Sequence, residues 1–178
     1  QGLRSVAIGS TAGRQGQDQD SVAIGSNAAA LSQGNISISV GSNSGAYNQG
    51  TRSTAIGPES GAYRQGATSV SIGDSAGMVS QNAQSVAIGF DAGKLGQHSG
   101  STAIGASSGY SYQGQNCIAI GNSAGQIGQN SQSVAIGLGA GQSSQGISCV
   151  AIGPNAGQSS QSDLSTAIGV SAGLTSQG

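Results

Sequence analysis

The chain repeats itself every 16 residues from end to end, with no insertion or deletion. Successive units open at Ser5, Ser21, Ser37, Ser53, Ser69, Ser85, Ser101, Cys117, Ser133, Cys149 and Ser165. The consensus is S-V-A-I-G-x-x-A-G-x-x-x-Q-x-x-x. A fixed short period of this kind marks a stacked repeat architecture, in which each unit buries its faces only against its neighbours. Two places never vary within the chain. The fifth is Gly, from Gly9 to Gly169, and the thirteenth is Gln: Gln17, Gln33, Gln49, Gln65, Gln81, Gln97, Gln113, Gln129, Gln145, Gln161 and Gln177.

S-V-A-I-G alternates with period two, the signature of a strand. Its second place is Val or Ile in most units and Thr at Thr54, Thr102 and Thr166; its fourth is Ile, or Val at Val40. β-Branched residues suit a pleated sheet. The constant Gly then ends the strand, at a turn that needs positive φ or a close approach of chains. A second, less regular strand is expected between the Ala-Gly pair and the Gln. Two or three glycines per unit and no helical apolar stripe argue against helix. The predicted fold is therefore all-β, a parallel β-solenoid of about 11 coils over residues 1–178, one domain and a segment of a longer fibrous protein. With ~4.8 Å between strands it forms a rod roughly 50 Å long.

Stacking places equivalent residues in ladders. The Val and Ile ladders are expected to form a thin core. The Gln ladder is expected to bond amide to amide between coils, which satisfies a polar group that would otherwise be costly inside. The opposite strand face is Ser, Ala and Gly, small and nearly uncharged. It suits close packing against another rod, or else lines the second side of a flattened roll.

At this point the S-V-A-I-G units at 5–9, 21–25, 85–89 and 133–137 resemble the head repeats of YadA-like trimeric autotransporter adhesins, over the whole chain. The resemblance implies a left-handed parallel β-roll, three chains around one axis, and attachment to a host matrix protein, glycan or other surface receptor. The unbroken 16-residue register, the A-G pair and the constant Gln depart from a typical head repeat and are more similar to repeats in fibre and surface proteins of large DNA viruses and phages. Both point to an extracellular place, on a cell surface or as a viral or filament appendage. The function expected is a non-enzymatic adhesin or fibre module that presents variable residues on a rigid trimer. The alternative is a purely structural filament or spacer without a ligand.

Composition narrows the rest. Net charge is -1 and only 6% of residues are charged, so no basic field exists for nucleic acid. No apolar run approaches the ~20 residues of a membrane-spanning helix, and no direct membrane contact is expected of this segment. Catalytic residues, cofactor and metal are expected to be none. His98 is a lone His in a variable place, and Asp18 and Asp20 flank Gln19 as a solvated corner rather than an acid pair. Gly89-Phe90-Asp91-Ala92-Gly93-Lys94 is one residue short of a phosphate loop. Cys117 and Cys149 sit two coils apart, roughly 9.6 Å, beyond the ~7 Å reach of a disulfide. Tyr47 and Tyr63 share the eleventh place of adjacent coils, so their rings are expected to stack. With Tyr110 and Tyr112 they are the candidate ligand contacts.

Overall fold

A computed structural model describes residues 1–177, and side chains up to residue 175, so the side chain of Gln177 lies outside the described residues. Each coil contributes two three-residue strands. The first is at places two to four, from β1 (Val6–Ile8) to β21 (Thr166–Ile168); the second is at places eleven to thirteen, from β2 (Gln15–Gln17) to β22 (Thr175–Gln177). Odd and even strands form two separate parallel sheets of 11 strands each, in strict chain order. Partners lie one period apart: Val6 faces Val22, and Gln17 faces Gln33. The chain is thus an all-β solenoid of two facing sheets joined by two turns per coil.

Backbone groups outside the strands follow the same coil-to-coil rule. In the turn after the first strand, the Gly41 N–H donates to Ile24 O at 2.8 Å and Asn43 N–H to Ser26 O at 2.9 Å. The fifth- and seventh-place N–H groups of this turn are thus paired with the preceding coil.

The core is the reverse of the expected one. Val and Ile do not fill it. The third-place Ala or Ser and the eighth-place Ala or Ser point between the sheets, with Ala23, Ala87, Ala119 and Ala135 fully buried. Gln33, Gln81, Gln97, Gln113, Gln129 and Gln145 are the largest fully buried side chains among the described residues. The second- and fourth-place aliphatics lie on the outer face of the first sheet; even mid-rod, Ile56, Ile72, Ile118 and Ile120 are 36–38% exposed. The reason is the spacing between the sheets. Opposite the Ala of the first strand stand only a small eighth-place residue, a ninth-place Gly and the Gln amide, which leaves no volume for a branched side chain. The Ser/Ala/Gly face accordingly lines the inside of a flattened roll and is not free to meet another rod.

The second strand breaks the alternation rule. Its middle residue, place twelve, has positive φ: Ser32 (58°), Asn48 (58°), Arg64 (60°), Ser80 (56°) and Tyr112 (56°). A left-handed residue reverses the side-chain direction that a pleat would impose, much as a bulge does. Place eleven therefore faces out and place thirteen faces in, although they are two residues apart: Tyr63 is 49% exposed and Gln65 only 2%.

The constant fifth-place Gly has two causes acting together. Its φ is 118–130° throughout, a region closed to L side chains. A Cβ on Gly89 would also stand 2.8 Å from the carbonyl carbon and oxygen of Gly105 in the next coil. At Gly128, in the twelfth place, φ is 66° and the nearest atom to such a Cβ is Ser144 Cα at 3.8 Å. Gly89→Ala is expected to destabilise the fold more than Gly128→Ala, because only Gly89 combines a closed φ with a clash. Urea unfolding of the two variants measures the difference.

Candidate binding surface

The Gln residues are the internal ties. In every coil with a described Gln side chain, Nε2 donates to the second-place carbonyl of the opposite strand, as from Gln17 to Val6 and from Gln97 to Val86, both at 2.8 Å. This bond joins the two sheets within one coil. The expected amide-to-amide chain is present from Gln49 to Gln129, with steps such as Gln49 to Gln65 at 3.2 Å and Gln97 to Gln113 at 3.1 Å. It resumes between Gln145 and Gln161 at 3.1 Å. Where the third place is Ser, its hydroxyl also donates to the amide oxygen, from Ser39 to Gln49 at 2.7 Å and from Ser71 to Gln81 at 2.6 Å. Gln97→Leu is expected to cost about 1–3 kcal/mol, since it removes the tie to the half-buried Val86 carbonyl and leaves the buried Gln81 and Gln113 amides each short of a partner. Chemical denaturation measures this directly.

First-place residues lock the second turn. Ser85 Oγ donates to His98 O at 2.9 Å, one coil on. Cys117 and Cys149 keep the same pattern, their thiols donating to Asn130 O and Ser162 O, each at 2.9 Å. Both thiols are free and buried. Burial pushes the Cys117 thiol above its ordinary pKa, because the thiolate would be desolvated. The folded chain at pH 8 is therefore expected to resist alkylation at Cys117 by iodoacetamide, and to react once unfolded in urea, as read by mass spectrometry.

Three features face outward. The first is the aliphatic stripe on the first sheet, two residues wide and 11 coils long. The second is a corner strip where the eleventh-place side chains meet the seventh-place turn residues. Here Tyr47 and Tyr63 stack as expected, with centroids 5.1 Å apart and planes within 6°. They line a recess of about 210 Å³ together with Asn43, Ala46, Glu59, Ala62 and Met78. The third is the set of scattered charges. Arg4 and Asp20 form a two-bonded pair at 2.6 and 2.7 Å, which holds the guanidinium more firmly protonated than usual. The Lys94 ammonium lies 2.9 Å from Asp91 and 5.7 Å from the Tyr110 ring, and the hydrogen bond to Asp91 raises its pKa.

The four tyrosines do not form one strip. Tyr110 occupies the tenth place and serves Lys94, while Tyr112 sits at the left-handed twelfth place, 72% exposed and lying over Gly96. Both are three coils beyond Tyr63. The sequence reading missed Asn43, Glu59 and Met78. Their signal was the tenth-place run of Ala30, Ala46 and Ala62, which leaves the strip unfilled.

His98 and Asp18 are exposed, and among the described residues no group of His, Cys, Asp and Glu is placed to hold a metal ion. No helix among them is long and apolar enough to cross a membrane. No family model, curated protein or solved structure matches this chain.

Proposed function

We propose that this chain is a non-enzymatic fibre or adhesin module, a stiff rod that associates with two further copies of itself and displays its variable places outward on a surface appendage. The observation that carries this reading is the exposed aliphatic stripe. A lone chain in water rarely leaves apolar patches larger than a few hundred Å² uncovered, and here the stripe runs the length of the rod. Its covering must match a ladder with the axial spacing of stacked strands. A second copy, parallel and in register, has that spacing by construction, so that each coil meets its equivalent. The interface thus lies on Val and Ile rather than on the small-residue face, which is inside. The likeness of S-V-A-I-G to trimeric adhesin heads supports three copies around one axis.

Burial of the exposed third of each stripe residue contributes about 0.5–1 kcal/mol apiece. Over the stripe this sums to on the order of 10 kcal/mol per chain, enough to offset association costs of about 4–15 kcal/mol when three chains share them. Light scattering is expected to give three times the mass of the 17.0 kDa chain. The triple variant Ile72→Ser, Ile88→Ser, Ile104→Ser is expected to lower that mass towards one chain while circular dichroism stays that of a folded solenoid, because these side chains support the assembly and not the core. A wild-type monomer would contradict the reading.

A second reading, a spacer without a ligand, draws support from the dispersal of Tyr110, Tyr112 and the charges along the rod. A spacer tolerates Ser at Tyr47, Tyr63, Tyr110 and Tyr112 with no loss of attachment to cells, matrix or glycans.

A further inference from the structure

The strip beside the second sheet has a floor, two walls and one closed end, and its depth is set by a single place in the repeat. The tenth place is Ala at Ala30, Ala46 and Ala62. From the next coil on it is filled. Met78 comes first, then Lys94, which is held by Asp91, then Tyr110. Beyond them Gln142 bonds Gln126 at 3.1 Å and Gln158 bonds Gln142 at 3.1 Å, so the channel there is occupied by its own amide ladder. Where Ala46 and Ala62 form the floor, the strip opens into the recess that Met78 closes.

The walls are chemically specific. On one side stand Tyr47 and Tyr63. Their inner faces cover each other, and Leu31 and Val79 are the register neighbours on either side of the pair in the same ladder. Ring faces are therefore not offered sideways, which removes the geometry that a cation held over an aromatic ring requires. The ring edges and hydroxyls are offered. On the other side stand the Asn43 amide and the Glu59 carboxylate, from the seventh places of the same two coils. None of these four side chains makes a hydrogen bond within the described residues. The floor is methyl groups, with Ala46 and Ala62 only 2% and 1% exposed.

A small recess with the half-buried Met78 side chain at its end, framed by two hydroxyls, an amide and a carboxylate, fits a ligand with a C–H face and a rim of hydroxyl groups. The recess, at about 210 Å³, is below the 300–1,000 Å³ usual for drug-sized ligands and takes one small ring. We propose that coils three and four form a saccharide subsite, in which one neutral hexopyranose unit sits in this recess with its C–H face against Met78 and the edges of the tyrosine rings. Its hydroxyls bond Tyr47, Tyr63, Asn43 and Glu59. This deepens the attachment half of the proposed function and rests on it. The recess lies at the corner between the seventh-place turn and the second strand, whereas the aliphatic stripe is on the outer face of the first sheet.

The test is saturation-transfer NMR on the intact chain with the methyl glycosides of glucose, galactose and mannose at high millimolar concentration, each alone. At least one is expected to receive magnetisation on its ring protons. Ala62→Met fills the floor with the side chain that the next coil already carries there, so the fold tolerates it; transfer is expected to fall at least tenfold. The pair Tyr47→Phe, Tyr63→Phe keeps the stack, removes both hydroxyls, and is expected to weaken transfer several-fold. Absence of transfer to all three sugars from wild-type chain, or equal transfer in wild type and Ala62→Met, overturns the subsite. Light scattering on the same samples separates the two ideas. A trimer that takes up no sugar sinks the subsite alone, and a monomer that takes up sugar sinks the assembled rod alone.

Discussion

The separation between the two sheets governs everything else in this chain. It is set by Ala and Ser at the third and eighth places, and the Gln amide spans the remaining gap to the second-place carbonyl of the facing strand. With that spacing fixed, no larger apolar residue fits inside, and Val and Ile have only the outer face available. A roll this thin gains little from the transfer of bulky side chains out of water. It relies instead on close packing of small groups and on a backbone and amide bond network repeated at each coil.

The strict register follows from the same constraint. The Gln side chain must meet a carbonyl in its own coil and, over most of the rod, another Gln in the next. The missing Cβ of each fifth-place Gly leaves room for the carbonyl of its successor. An inserted residue would displace the Gln from both partners and flip the strand after it. Variation is greatest where these contacts are absent, namely at the sixth, seventh, tenth, eleventh, twelfth and fourteenth to sixteenth places, and most chemistry that differs between coils lies there.

Much of this was legible in the sequence. The period located both strands, the constant Gly marked a positive-φ turn, the constant Gln marked a buried polar ladder, and the shared place of Tyr47 and Tyr63 foretold their stack. Which face of V-A-I points inward was not legible from the strand itself. Alternation defines two faces, and the general tendency of large aliphatics to be buried selects the wrong one here. The deciding information lay in the other half of the coil, where Ala, Gly and Gln provide nothing complementary to an Ile. The outward turn of Tyr63 beside the inward turn of Gln65 was hidden for a different reason. It depends on left-handed φ at Arg64, a residue type that gives no cue for it, although Ser, Asn and Gly recur at that place in other coils.

Gln, Ala and Ser occupy the interior of the roll, while Val and Ile lie on its outer face. Side-chain amide hydrogen exchange of the Gln residues, followed by NMR in D2O, tests this arrangement most directly and irrespective of how many chains assemble. The thirteenth-place amides from Gln33 to Gln145 are expected to persist long after those of exposed Gln19 and Gln115 have exchanged. Equal, rapid exchange of all of them would contradict it.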